Sequence, residues 1–281
     1  MTLEFELADY EDSLVFKKRW PGQATDFDHS QEYTISDARC LVDEVTLTSE
    51  LQNQYSTLLL AGKSVGETAI IGQKILTVLT PRLPELYRGM KRRAQTISAK
   101  DAGVFITKLG IGAGDVILEA GLGSGGLSLH LARVLGNSGT LITVEARDEH
   151  ADVGLENLSR AKNCLEEFPI HHHISGDIVD IAEQVAKISP GVDGIILDLP
   201  NHDLAINAVV ELLNPGGRIA CYCPVTSQVE RAWQTCEDNG LVVEWAGELM
   251  ERKWGRASKG GIRPVNGPFG HTAFLLIAHK R

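Results

Sequence analysis

The stretch Asp115-Val-Ile-Leu-Glu-Ala-Gly-Leu-Gly-Ser-Gly-Gly126 decides how the rest of the chain reads. Val116 to Leu118 form an apolar, partly β-branched run, which marks a buried strand. Gly121, Gly123, Gly125 and Gly126 then make a turn with almost no side-chain bulk. Leu127, Leu129, Leu131, Ala132 and Leu135 recur at helical spacing, and Gly136 ends the helix. A glycine turn between a strand and a helix lets a ligand touch bare backbone at the positive end of that helix. The stretch therefore predicts a small-molecule site.

Downstream of Asp115, strands expected at 116–119, 140–145, 170–174, 194–199, 218–222, 242–249 and 272–279 alternate with helices expected at 126–135, 149–168, 179–187, 205–213 and 227–239. This alternation predicts an α/β fold with a mainly parallel seven-stranded sheet covered by helices on both faces. Such sheets bind ligands at the carboxyl ends of their strands. The glycine turn, Glu145, Asp177 and Asp198 should share that rim. Upstream, short alternating pieces at 33–35, 40–42, 45–48, 55–60 and 69–71 predict a small, mostly β domain over residues 1–80. Residues 81–110 read as a basic connector with a short helix after Pro81 and a second helix from Lys100 to Leu109. Residues 111–281 make the ligand-binding domain.

Charge and composition narrow the partners. The net charge of −10 argues against a whole-surface affinity for nucleic acid. Two segments run the other way. Residues 82–108 hold seven Lys and Arg against two acidic residues, and residues 251–263 hold five against one. They can grip the phosphates of an anionic polymer or be two solvated faces. Five cysteines without a C-x-x-C pair speak against a disulfide framework and a zinc site, and fit a reducing cytoplasm. His171-His-His173 would alternate faces on a strand, so no metal site is expected there. Apolar runs such as Ala273 to Ala278 are too short to span a membrane, and the acidic N-terminus does not read as a signal peptide. Trp233 and Trp245 are expected in the core, and Lys253 to Arg263 as a mobile loop over the site.

Gly121-Leu-Gly-Ser-Gly-Gly126 satisfies the dinucleotide pattern G-x-G-x-x-G, and Glu145 ends the next strand where a carboxylate holds ribose hydroxyls. Three features favour S-adenosylmethionine instead. Glu119, just before the glycines, would repel a pyrophosphate but suits an ammonium and a sulfonium. Asp177, in Ser175-Gly-Asp, can accept from an adenine amino group. Pro215-Gly-Gly217 precedes a strand as in the Rossmann-like methyltransferases. Each carboxylate also has a local alternative: Glu145 and Asp177 as helix caps, Asp198 as a turn residue.

Four segments carry a more particular likeness. Met90-Lys-Arg-Arg-Ala-Gln-Thr-Ile-Ser-Ala-Lys-Asp101, Leu118-Glu-Ala-Gly-Leu-Gly-Ser-Gly-Gly-Leu127, Val144-Glu-Ala-Arg147 and Gly270-His-Thr-Ala-Phe-Leu275 resemble the tRNA (adenine-N1)-methyltransferase family. The resemblance covers roughly residues 60–281. It implies a cytoplasmic, tetrameric Rossmann-like enzyme that uses S-adenosylmethionine to methylate N1 of an adenosine in the T-loop of tRNA. Glu119, Gly121 and Gly123 would line the cofactor, with Ser124, Gly125, Gly126 and Leu127 on its methionine end. Glu145 would take the ribose, His150 would lie near the adenosine, and Asp177 would take the adenine. Asp198 would face cofactor and target base as the catalytic residue. Tyr222, Arg92, Arg93, Lys253 and Arg256 are the expected substrate contacts. Two positions depart from the family pattern. Asp198-Leu-Pro-Asn-His-Asp203 carries neither the second proline nor the tryptophan, so a stacking ring is either missing or supplied elsewhere, for instance by Tyr222 or His202. Ser98-Ala stands where Tyr-Pro is usual. A methyltransferase of small molecules and an NAD-dependent oxidoreductase are the alternatives. A silent tRNA-binding subunit would be expected to lose the glycine turn, which this chain keeps.

Overall fold

The computed structural model describes residues 4–10, 13–19, 32–34, 41–42, 64–71, 74–256, 261–265 and 271–281. The chain divides into two compact units, Met1–Arg88 and Gly89–Arg281.

In the first unit, β1 (Glu4–Tyr10) and β2 (Ser13–Arg19) pair antiparallel, and β3 (Glu32–Thr34) joins β2. A second sheet holds β4 (Leu41–Val42), β5 (Thr68–Ile71) and β6 (Lys74–Leu79), with β6 in the middle. The short helix α1 (Leu83–Gly89) follows. The expected strands at 33–35, 40–42 and 69–71 correspond to β3, β4 and β5. Those at 45–48 and 55–60 lie outside the described residues. The sequence reading missed β1, β2 and β6.

The second unit begins with a basic lead-in and α2 (Ala99–Leu109). Ser98 caps this helix, its side chain accepting from the Asp101 amide, and Gly110 ends it in the left-handed conformation at φ 73°. A seven-stranded sheet comes next. Its strands are β7 (Val116–Ala120), β8 (Thr140–Glu145), β9 (Ile170–Ser175), β10 (Val192–Leu197), β11 (Leu213–Cys223) and β12 (Val242–Gly247), with a last strand at Phe274–His279. A ribbon of β13 (Trp254–Arg256) and β14 (Ile262–Pro264) comes before that last strand, which is therefore β15. The strand order is β12-β15-β11-β10-β7-β8-β9, parallel throughout except for β15. The helices are α3 (Gly126–Leu135), α4 (Asp148–Cys164), α5 (Ile178–Ile188), α6 (His202–Val209) and α7 (Thr226–Asp238).

Strand alternation sorts the core into two layers. Leu118, Ile195, Leu197, Ile219, Cys221 and Leu276 face α5, α6 and α7. Ile117, Ile196, Ala220, Tyr222, Leu275 and Ile277 face α2 and α3. Burial on both sides explains why the central strands are apolar at successive positions. Full burial of each leucine or isoleucine among them contributes about 1.5–3 kcal/mol. β7 and its neighbour β10 are adjacent, yet they lie on opposite sides of the point where the chain reverses direction across the sheet. Crevices form at such switch points.

Several local expectations change. The helix expected to 168 stops at Cys164. The helix expected at 205–213 starts earlier, at His202, and gives way to a 3-10 turn over Val210–Leu212. Pro215-Gly-Gly217 is absorbed into β11, with Gly216 at φ 81° and its amide bonded to the Lys280 carbonyl. Trp245 packs half-buried against the core, but Trp233 stands 39% exposed on α7, its indole N–H donating to Glu237. An amphipathic ring with a local acceptor does not need the interior. Residues 254–264 are a two-stranded ribbon at their described positions, where a loop was expected.

Candidate active site

The rim is built around the end of β7. Ala120 O accepts from the Asp198 amide, and Val144 O accepts from both the Gly121 and Leu122 amides. The turn is thus laced to the neighbouring strand ends on both sides. Gly121 has φ +100°, and a Cβ there would run into the Asp198 carbonyl. Only glycine lets β7 and β10 diverge at this point. Gly123 and Gly125 also have positive φ, at 54° and 78°. Gly125 lies against Gly154 of α4, where an added Cβ would stand 3.2 Å from the Gly154 carbonyl. Beyond this turn the first amides of α3 have no partner within their own helix, which makes a cradle for an electron-rich group.

Glu145 holds the cradle from the second strand. It is 3% exposed. Its Oε2 accepts from the Gly123 amide at 2.9 Å, and its Oε1 accepts from the backbone and side chain of Arg147. It does not cap α4, whose N-cap residue is Arg147. A carboxylate has further acceptor positions for hydroxyl groups. Asp177 does cap a helix: its Oδ1 accepts from the Val179 amide at 3.0 Å at the start of α5. The side chain is exposed on the same rim. His150, in the first turn of α4, has a buried Nδ1 with no hydrogen-bond partner. An unpartnered buried nitrogen at the start of that helix is free to bond a polar atom of a bound molecule.

Two carboxyls behave differently from the sequence picture. Glu119 is 2% exposed and accepts from the Ser128 hydroxyl at 2.6 Å. Burial, reinforced by Asp198 and Glu145, pushes its pKa up to about 8 against the opposing Ser128 bond. At neutral pH it is therefore mostly protonated and offers little negative charge to an ammonium or sulfonium. Asp198 is half-buried at the end of β10. Desolvation and the Glu145 charge raise it to about 7, with Arg147 pulling the other way. A carboxyl poised near neutrality at a switch-point rim is a strong functional marker.

Neither proposed stacking ring is available. Tyr222 is 6% exposed, with its ring 6.4 Å from Phe105 at an interplanar angle of 69°. His202 is 2% exposed, bonded to the backbone of Leu197 and Tyr222 and 3.8 Å from the Cys223 thiol. Tyr222 is held inward because β11 is a central strand with helices on either side, and His202, the first residue of α6, is held by the strand-end backbone it bonds to. Among the described residues, His271 is an exposed ring at that end of β11. It contacts Glu248 at 2.8 Å and the Pro224 carbonyl at 3.2 Å, and its ring centroid lies 4.3 Å from that of Phe274. The signal was present in Gly270-His-Thr but carried no spacing that marked a site.

The structure also places a residue that sequence reasoning missed. Asn157 of α4 is 3% exposed. Its Nδ2 donates to the carbonyls of Lys91 and Ser124, and its Oδ1 accepts from the Lys91 amide. Ser124 is fully buried, with its hydroxyl taking the amides of Arg93 and Ala94 at 3.0 Å each. Its side chain is thus committed to the lead-in, so only its backbone can serve a ligand. Arg92 and Arg93 are exposed, Arg93 at 3.7 Å from Glu149. Lys253 and Arg256 are exposed at and beside the ribbon. His171 and His173 share one face and both bond to the Thr143 hydroxyl. Among the described residues no group of three ligating side chains can hold a metal ion.

Comparison with known proteins narrows the reading. The family model described as "tRNA methyltransferase complex GCD14 subunit" matches residues 74–260. The tRNA (adenine(57)-N(1)/adenine(58)-N(1))-methyltransferase of Methanocaldococcus jannaschii is 30% identical over 72% of this chain and 77% of its own. The tRNA (adenine(58)-N(1))-methyltransferase of Thermus thermophilus is 31% identical over 80% and 85%. Among solved structures, a SAM-dependent O-methyltransferase from Thermotoga maritima superposes with TM-score 0.65 at 25% identity, covering 98% of this chain and 94% of that one. The tRNA (m1A58) methyltransferase of Aquifex aeolicus gives 0.61 at 20%, covering 78% and 90%, a likeness of fold. With the rim geometry in place and the match running through lead-in, glycine turn and sheet, this chain belongs to the GCD14 family of tRNA methyltransferase subunits.

Proposed function

We propose that the chain transfers a methyl group from S-adenosylmethionine to N1 of a T-loop adenosine in tRNA, at position 58, which the names of both relatives share. The observation that carries this is Asp198, a carboxyl poised near neutrality beside a glycine cradle, in a chain of this family. The residues present fit the cofactor. The α3 amides suit its carboxylate, Glu145 its ribose hydroxyls, Asp177 its adenine amine, and the orphan His150 Nδ1 a polar atom of the nucleoside. When bound, the cofactor supplies an electrophilic methyl and leaves as a neutral thioether.

The protein's own work is orientation and charge. N1 of adenine carries a lone pair and needs no deprotonation before it attacks. The new N–C bond leaves the ring cationic. Ionised Asp198 accepts from the exocyclic amine, aligns N1 with the methyl, and offsets the positive charge as it develops. The base must leave its stack to reach this rim. Arg92, Arg93, Lys253 and Arg256 then hold the displaced backbone through its phosphates.

The same reading takes tRNA as partner, a homotetramer as assembly and the cytoplasm as compartment, on the support of the family resemblance. It also takes residues 1–80 as a separate β-rich domain, which agrees with a compact unit ending at Arg88. The test is incubation with labelled cofactor and an unmodified tRNA transcript, followed by nucleoside analysis. The expected product is 1-methyladenosine. Labelled small molecules from cell extract, with tRNA untouched, would shift the assignment to a metabolite methyltransferase.

A further inference from the structure

The glycine turn does not stand alone. Gly154 and Asn157, one turn apart on α4, both press against it. A Cβ on Gly154 would stand 2.9 Å from the Gly123 carbonyl. Asn157 then reaches past this contact to the lead-in. It pairs with both polar groups of Lys91, donating to the carbonyl at 2.8 Å and accepting from the amide at 2.9 Å, much as a neighbouring strand would. One amide donor and two carbonyl acceptors around the side chain fix which end is oxygen and which nitrogen. The second Nδ2 proton goes to the Ser124 carbonyl at 2.9 Å.

That last bond matters because of what lies across the same peptide. The Gly125 amide donates to the Leu122 carbonyl at 2.8 Å. The Ser124–Gly125 peptide is therefore held at both ends, and the α3 amides that follow it are aimed by it. On the other side, the Ser124 hydroxyl accepts from Arg93 and Ala94 and donates to the Ala94 carbonyl at 3.2 Å. Ala94 itself stands 3.3 Å from where a Gly123 Cβ would be. Residues 91–94 thus form a strap across the turn. Outer ion pairs, Lys91 with Glu156 at 2.7 Å and Arg93 with Glu149, add little because they are exposed.

We propose that Asn157 is a positioning residue for the cofactor: by sewing the strap to the Ser124 carbonyl it holds the amide cradle in its binding geometry. This rests on the cofactor reading above. The Asn157 side chain is spent on the Lys91 and Ser124 backbone, so its removal acts on binding and leaves the chemical step alone.

The test is a set of two variants read by calorimetry with S-adenosylhomocysteine and by steady-state kinetics. Asn157→Ala should weaken S-adenosylhomocysteine binding at least tenfold and raise KM for the methyl donor similarly. Its kcat at saturating donor should stay within about threefold of wild type. Asn157→Asp keeps the volume and the acceptor but loses both donors and faces two carbonyl oxygens with a carboxylate. It should bind no better than Asn157→Ala. Wild-type affinity in either folded variant overturns the proposal, as does a loss confined to kcat. Should neither variant fold, trypsin reports on the unaltered protein. Saturating S-adenosylhomocysteine should slow cleavage after Arg92 and Arg93 relative to other sites, and an unchanged rate overturns the proposal. If wild type binds no S-adenosylhomocysteine at all, the cofactor reading itself has failed, which is a different result from a variant that matches wild type.

Discussion

The two halves of the rim are built in different ways. The half that runs from Glu119 to Glu145 is stitched by backbone: amides of Gly121, Leu122, Gly123 and Gly125 all have fixed acceptors, and the side chains of Ser124, Glu145 and Asn157 bond to main chain. The half that runs from Asp198 through Pro224 to His271 depends on side chains at strand ends. Its aromatic candidates are turned into the core, and the exposed His271 ring is held by Glu248 and a carbonyl. A backbone-built site offers a fixed set of donors that side-chain substitutions leave in place. A side-chain-built site can be retuned for the acceptor without disturbing the fold. The family's glycine turn and this chain's altered Asp198-Leu-Pro-Asn-His segment fit that division.

The largest test of this contrast strikes the acceptor half. Asp198→Ala should lower kcat by about 10²–10³-fold, near 3–4 kcal/mol of transition-state stabilisation, while S-adenosylhomocysteine binding stays within a few fold. The pH profile sharpens it. Only the ionised carboxylate can accept from the amine and offset the cation. Activity should therefore rise with pH through a limb that begins near the raised value of about 7 in the free enzyme. A bound sulfonium favours the ionised form and moves that limb downward. Asp198→Asn should abolish it. A profile that keeps the same limb without the carboxyl would assign the titration to another group.

The next test strikes the backbone half. Gly121→Ala forces a side chain into a positive-φ position against the Asp198 carbonyl. The expected loss is about 2–5 kcal/mol of stability, from left-handed strain and overpacking together. Thermal unfolding should show it, and donor binding should fall with it. Gly216 has φ +81° but open space around it, so Gly216→Ala should cost only the strain, about 1–2 kcal/mol. The comparison separates close approach from conformation.

What the sequence made legible follows the same line. Periodicity and glycine revealed β7, the turn and α3, because a buried strand and an amphipathic helix leave a repeating pattern. The acidic rim followed from topology alone. Asn157 could not be seen, since a polar residue in an amphipathic helix reads as a solvated position until a partner 66 residues away is placed against it. The ribbon at 254–264 was hidden by its glycines, which read as loop. Core packing is the default expectation for a tryptophan, but the helix of Trp233 turns it outward. Glu119 shows the limit most directly: its position was read correctly from the strand, but its ionisation depends on burial that no single sequence displays.

That residue supplies a third test. In the folded state Glu119 keeps its proton to about pH 8, while the unfolded chain releases it near 4.5. The folded form binds more protons across that window, so stability is greatest below the unfolded pKa and falls as pH rises through the folded one. Glu119→Gln removes the linkage. Its Tm relative to wild type should rise from pH 5 to pH 8, with the stability difference at pH 8 amounting to at least about 1 kcal/mol. A difference that stays flat with pH would mean that Glu119 is ionised in the folded protein and presents its charge to a cationic ligand.

The smallest effect belongs to the cations. Arg93 already faces Glu149 at 3.7 Å, whereas Arg256 lies exposed on β13 beside Lys253. A cation with a carboxylate neighbour must trade one anion for another on meeting a phosphate, and little is gained. An exposed cation that holds no such ion pair among the described residues releases counterions instead. Arg256→Ala should weaken tRNA binding by a few fold and lower the slope of log affinity against log salt by about one. Arg93→Ala should change that slope by less. Equal changes in slope would show that the strap's ion pairs open on binding. The basic lead-in would then touch RNA as directly as the ribbon does, and the division between a cofactor half and an acceptor half would not extend to the tRNA surface.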